Sequence, residues 1–217
     1  MKKLQTCGQI LDFNDENKNV DAKKQRLETL QELQDTIANT QLMTNLVMPH
    51  LEQVMSMIKK NIFRPLPIVK KQGLAGETGI EDEEIIVDPS WPHLQPVYEL
   101  FLQLIINDAV DMKSLRAYIT QKFIQEFLEL FDSEEPKERE YLKNILHRLY
   151  AKLVPRRKMI RKGITDLFNS LIHENYRFNG TSELQDILAA IISGFAVPLR
   201  EEHVAFFHTV IIPLHKV

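Results

Sequence analysis

Apolar residues three and four positions apart recur along most of this sequence, and that spacing admits helices and little else. Leu27, Leu30, Leu33 and Ile37 make a first, weak stripe. Leu51, Val54, Met55, Ile58 and Ile62 make a second, with Pro49 suited to its first turn. Leu94, Val97, Tyr98, Phe101 and Ile105 follow Trp91-Pro92, and Ile119, Phe123, Phe127 and Leu130 run up to Phe131-Asp132-Ser133. The fifth stripe, Leu142, Ile145, Leu146, Leu149 and Leu153, starts near Pro136. It should stop by Pro155, which has no backbone donor to continue a helix. Ile160, Ile164, Leu167, Phe168 and Leu171 form the sixth, and Leu184, Ile187, Leu188, Ile191 and Phe195 the seventh. Phe206, Phe207, Val210, Ile211 and Leu214 close the series. The best strand candidate, Glu84-Ile85-Ile86-Val87, is short and isolated.

The stripes pair, and the pairs recur. Pairs begin near Trp91, Pro136 and Ser182, about 45 residues apart, inside the roughly 40–47-residue period of HEAT and armadillo repeats. The expected fold is an all-α, HEAT/armadillo-like solenoid of about four helix pairs spanning residues 1–217. A stack of that kind presents a long concave surface, usually to other proteins. Between Arg64 and Ser90 the pattern breaks into prolines, three spaced glycines (Gly73, Gly76, Gly79) and the acidic run Glu81 to Glu84, which reads as a flexible acidic loop. Those glycines follow no strand and lack the Gly-Lys-Ser/Thr ending, so they are not a phosphate loop. The sequence stops just after an apolar helix with no polar capping repeat, so the solenoid is expected to be incomplete at its C-terminus.

Composition narrows the chemistry. With 44% apolar and 26% charged residues, 217 residues can bury a sizeable core. The single cysteine, Cys7, excludes an intrachain disulfide and a multi-cysteine metal centre, and suits the reducing cytosol or nucleus. No apolar run approaches the roughly 18 residues that span a bilayer, so no membrane partner is expected. Met1-Lys2-Lys3-Leu4 lacks the apolar core of a signal peptide, which leaves the Asn179-Gly180-Thr181 sequon without a use. His203 and His208 lie five apart rather than at the metal-binding helical spacing, and Cys7 has no base beside it in sequence. No catalysis and no cofactor are expected. Glu134-Glu135 and Glu201-Glu202 fall at helix starts, where acids suit the helix dipole.

One charge feature stands apart. From Lys143 to Lys162 there are eight Lys or Arg and no acid, although the whole chain carries a net charge of −3. Such a run is either a solvated face or a site for nucleic acid, anionic lipid or an acidic peptide. Aromatics are not interleaved as a base-stacking platform requires, so nucleic acid is the lesser expectation. On the helix after Pro136, Asn144, His147, Arg148 and Ala151 fall on the arc opposite the apolar stripe. Ile187 and Ile191 come about one repeat later, on the flank of their own stripe, either as plain core or as an apolar dimple beside those cations.

At these residues the sequence becomes recognisable. Trp91-Pro92-His93-Leu94-Gln95, Phe127 to Glu134, Leu146-His147-Arg148-Leu149-Tyr150, Phe195 to His203 and the closing Leu214-His215-Lys216-Val217 resemble the B-prime (fifty-six-kilodalton) regulatory subunits of protein phosphatase type 2A. The resemblance covers nearly the whole chain and is strongest from Trp91 onward. It implies a non-catalytic HEAT-like solenoid that joins a scaffold (A) and a catalytic (C) subunit. It also implies recruitment of substrate proteins through Leu-x-x-Ile-x-Glu peptides laid in a groove between repeats. The positions that match the family's groove are His147, Arg148, Tyr150, Arg157, Ile187, Ile191, Arg200 and His203. The resemblance assigns Ile187 and Ile191 to the peptide's apolar anchors and Arg148 with His147 to its glutamate. Arg200 and His203 would meet an acidic or phosphorylated residue. Asn144, Ala151 and Arg200 replace the family's usual Thr, Gly and Lys.

Overall fold

A computed structural model describes residues 2–9, 11–13, 15, 17–66, 88–174 and 178–214, and every regular element among them is helical. The glycines of the long break, its acidic run Glu81 to Glu84, the strand candidate at 84–87 and the closing residues 215–217 lie outside the described residues.

The elements are α1 (Lys2–Cys7), α2 (Val20–Ala38), α3 (Thr40–Leu42), α4 (Leu51–Ile62), α5 (Trp91–Ile106), α6 (Met112–Arg116) and α7 (Gln121–Glu129). They continue as α8 (Pro136–Lys152), α9 (Arg157–Glu174), α10 (Thr181–Ser193), α11 (Glu201–Phe206) and α12 (Ile212–Leu214). Every expected stripe therefore lies on or beside a helix. Pro49 sits in a tight turn that leads into α4, and Pro155 in the tight turn between α8 and α9. Two stretches, Met43–Val47 and Phe207–Ile211, are wider π-helical turns. Ile119 is buried but lies just before α7, whose first turn is capped by the Thr120 hydroxyl accepting from Phe123 N at 3.2 Å.

Two layers form. Helices α2, α5, α8 and α10 pack side by side in one, and α7, α9 and the α11–α12 segment in the other. Helices α5, α8 and α10 start at Trp91, Pro136 and Thr181, which is the expected period of about 45 residues. Between the layers runs a column of rings. Phe63, Phe123, Phe127 and Phe131 follow one another with centroids 5.1, 5.7 and 6.3 Å apart, and Phe101 meets Phe123 edge-on at 6.1 Å. Those separations are in the favourable range for aromatic pairs.

The start of α8 is anchored in the core by a carboxylate. Glu138 is 0% exposed and takes both guanidinium nitrogens of Arg64, at 2.7 and 3.1 Å. Tyr98 donates to it at 2.6 Å and Ser133 at 2.5 Å. Arg64 also donates to Asp88 at 2.8 Å, and Asp88 in turn accepts from Ser90. The two edges of the 67–87 segment are thus tied to each other and to α8. Burial works against the Arg64 charge, but the Glu138 and Asp88 carboxylates outweigh it and hold the guanidinium firmly protonated.

Candidate peptide groove at the α8–α9 and α10–α11 turns

Helix α8 ends where its backbone leaves the helical region at Leu153 (φ −99°, ψ 67°), just before Pro155. Its last carbonyls need donors, and Arg157 supplies them. Arg157 Nε donates to the Tyr150 carbonyl at 2.9 Å and Nη2 to the Ala151 carbonyl at 3.1 Å, while its guanidinium lies 5.2 Å from the Tyr150 ring centroid. Arg161, one turn further along α9, donates from Nη1 to the Tyr150 hydroxyl at 3.1 Å and from Nη2 to Glu202 at 3.1 Å. These bonds join the end of α8, the start of α9 and the start of α11.

Between them lies a cavity of about 550 Å³. His147, Tyr150 and Ala151 come to it from α8, Val154 from the turn, and Arg157, Lys158 and Arg161 from α9. Ala190 and Ile191 come from the end of α10, Gly194 to Ala196 and Arg200 from the following loop, and Glu202 and His203 from α11. The His203 ring is buried and stacks on Phe195, centroids 3.8 Å apart and planes 1° from parallel. Its Nε2 stands 3.5 Å from Glu202 Oε1, and its Nδ1 is buried with no hydrogen-bond partner among the described residues. A cluster of guanidinium and ammonium groups around a partly apolar floor focuses a positive potential on whatever enters.

Six of the eight expected groove residues therefore meet at one cavity: His147, Tyr150, Arg157, Ile191, Arg200 and His203. Arg148 and Ile187 are not among its lining residues. Arg148 is exposed beside His147 on the outer arc of α8 and makes no hydrogen bond or ion pair among the described residues. Ile187 is 2% exposed and Ile191 4%, because both share the stripe of Leu184 and Leu188 that α10 turns toward α8. Ile187 is buried in the core, and of the two isoleucines Ile191 lines the cavity.

The basic run divides by role. Lys143 pairs with Glu140 at 2.8 Å and Asp186 at 3.4 Å. Lys152 donates to the Ile106 carbonyl at 2.7 Å and meets Asp108 at 3.3 Å, Arg156 donates to the Arg116 carbonyl at 3.2 Å, and Lys162 pairs with Asp166 at 2.7 Å. Those four fasten helices, three of them across repeats. Arg161, Glu202, Val154 and Phe195 also line this cavity and were not among the residues expected from the sequence. Arg161 was findable, since it follows Arg157 by four and shares its helical face. Val154 and Glu202 had no such signal, because a turn and a helix start bring them in.

The comparison with known proteins is consistent across the chain. The protein phosphatase 2A regulatory B subunit (B56) family matches residues 1–217. The beta isoform of the 57 kDa B' regulatory subunits of serine/threonine protein phosphatase 2A from Arabidopsis thaliana is 44% identical over 217 residues, covering 100% of this chain and 43% of that protein. The beta isoform of the 56 kDa regulatory subunits from Homo sapiens is 42% identical over 216 residues, covering 100% of this chain and 42% of its own length. The delta 1 isoform of the 56 kDa regulatory subunits from Schizosaccharomyces pombe is 40% identical over 218 residues, again covering all of this chain and 39% of its own length. The chain spans about two fifths of the length of these curated relatives. With its helical-repeat architecture and its match over every residue, the chain belongs to the B56 family of protein phosphatase 2A regulatory B subunits.

Proposed function

We propose that this chain serves as the substrate-docking part of a non-catalytic regulatory subunit of a type 2A serine/threonine phosphatase. In this reading it binds Leu-x-x-Ile-x-Glu peptides of substrate proteins in the groove at the α8–α9 and α10–α11 turns. The wider assembly brings a scaffold and a catalytic subunit. The relatives' names, all regulatory subunits of that phosphatase, support the regulatory role.

The observation that carries the docking role is the groove itself, with cations from two adjacent repeats around Ile191, Val154 and Phe195. Ile191, Val154 and Phe195 take the peptide's apolar anchors, worth roughly 1.5–3 kcal/mol for each side chain fully buried. Ile187 supports that floor from the core side. His147, with Arg148 beside it, meets the motif's glutamate through a charge-assisted hydrogen bond. Tyr150 and Arg157 form the wall, and Arg200 with His203 receives an acidic or phosphorylated residue within the motif. A nucleic-acid reading of residues 143–162 is the weaker one, because Lys143, Lys152, Arg156 and Lys162 are engaged within the fold.

Titration calorimetry with a Leu-x-x-Ile-x-Glu peptide tests the reading. The expected result is micromolar affinity, about −8 kcal/mol, lost in Arg148→Ala and in Ile191→Ala. Arg148 is exposed, so its variant keeps the fold, and a thermal melt checks the other. Absence of binding by the folded wild-type chain would defeat the docking role.

A further inference from the structure

The groove contains its own acid. Among its lining residues Arg157, Lys158, Arg161 and Arg200 are cationic, and Glu202 is the carboxylate. Glu202 Oε1 lies 3.1 Å from Arg161 Nη2 and 3.5 Å from His203 Nε2, so one oxygen faces both groups. The two partners of the ion pair are held unequally. The Arg161 side chain is 16% exposed and is fixed on its other nitrogen by the Tyr150 hydroxyl. The Glu202 side chain is 45% exposed, and among the described residues its carboxylate is held by Arg161 and His203 alone. Of the two, the carboxylate is the less constrained.

We infer that Glu202 is a built-in competitor for the acidic group of a docked peptide, and so sets how strongly this groove discriminates acidic and phosphorylated peptides from neutral ones. The inference rests on the docking role proposed above and adds a determinant of specificity to it. A peptide carboxylate or phosphate that reaches Arg161 must displace Glu202 or bind against its charge. A like charge at that distance lowers affinity in proportion to the ligand's own charge. Phosphate, with nearly two charges and three acceptor oxygens, competes best for the guanidinium. A neutral side chain at the same position leaves the Glu202–Arg161 pair closed.

The test compares the wild-type chain with Glu202→Gln, which keeps the size and the hydrogen-bonding oxygen. Three peptides share the Leu-x-x-Ile-x-Glu frame and carry Ser, Glu or phosphoserine at one variable position. The expected result is affinity about two- to fivefold tighter for the Glu peptide, the worth of one partly exposed ion pair. The gain is larger for the phosphoserine peptide than for the Glu peptide, and smallest for the Ser peptide. Equal or weaker binding of the acidic peptides by Glu202→Gln would overturn the inference while leaving the docking role intact, since Glu202 would then be a prop that orients Arg161 and His203. Failure of all three peptides to bind the folded wild-type chain would overturn the docking role, and the inference with it.

Discussion

Arg64 grips Glu138 through both guanidinium nitrogens across 74 residues of sequence, at 2.7 and 3.1 Å, with the carboxylate 0% exposed. A buried ion of that kind is costly to leave alone. Removing Glu138 leaves Arg64 with Asp88 alone and takes the acceptor from the Tyr98 and Ser133 hydroxyls, at about 3–5 kcal/mol. Glu138→Ala is expected to lose that much in urea unfolding. A loss below about 1 kcal/mol in the single variant would show that the network contributes no more than a surface pair.

Asp88 makes the same network sensitive to acid. Burial alone would raise its carboxyl, but hydrogen bonds from Ser90 and Arg64 outweigh burial and hold it below the usual carboxylate range. A depressed folded-state value contributes stability that is fully present above the unfolded value, and that is lost as pH falls through the lower folded one. The wild-type chain should therefore lose stability below about pH 4. Asp88→Asn should start less stable at neutral pH and show a shallower acid loss. Parallel acid profiles for the two proteins would contradict this.

Gly180 marks a close approach. A Cβ added there would lie 2.5 Å from both the Cβ and the carbonyl oxygen of Phe131, and backbone cannot rotate aside. The neighbouring Asn179 is already bound to Asp132, its N–H to Oδ1 at 3.0 Å and its side-chain amide to the carbonyl at 2.9 Å. Gly180→Ala should cost about 1–3 kcal/mol through overpacking, read as a lower urea midpoint at constant slope.

Cys7 is buried, and burial pushes its thiol up to about 11, with the Arg26 charge pulling partly back. The thiolate is the reactive form. At pH 8 the native chain should react with iodoacetamide at least tenfold more slowly than the same chain in urea, since a thiol raised from about 8.5 to about 11 holds roughly two-hundredfold less thiolate. Equal rates would mean that the α1 region opens freely.

Much of the fold was legible in the sequence because its signal is periodic. Eight stripes and a repeat of about 45 residues need only the helical pitch and the pairing of neighbours. Elements without a stripe escaped: α1 and α6 are six and five residues long, and each shows the core a single buried side chain, Cys7 and Leu115. Glu138 and Arg26 are buried within helical stripes, and no pattern of apolar residues announces a buried charge. The cavity lining was legible at the six residues that the resemblance named, less so where long-range packing decides. His147 and Arg148 stand on the exposed arc that helical geometry predicts. Ile187 lies in the core on the buried stripe of α10, which packs on α8, and Glu202 lines the cavity where Arg161 meets it across 41 residues.

The proposed docking role fixes where a peptide should lie. A Leu-x-x-Ile-x-Glu peptide with a photo-crosslinking residue in place of its Ile, irradiated on the intact chain and mapped by mass spectrometry, would report that position. Crosslinks are expected at Tyr150, Val154 and the segment from Ala190 to Phe195, suppressed by excess unlabelled peptide. Suppressible crosslinks confined to another surface, such as the cavity between α1 and α4 lined by Gln53 and Met57, would contradict it.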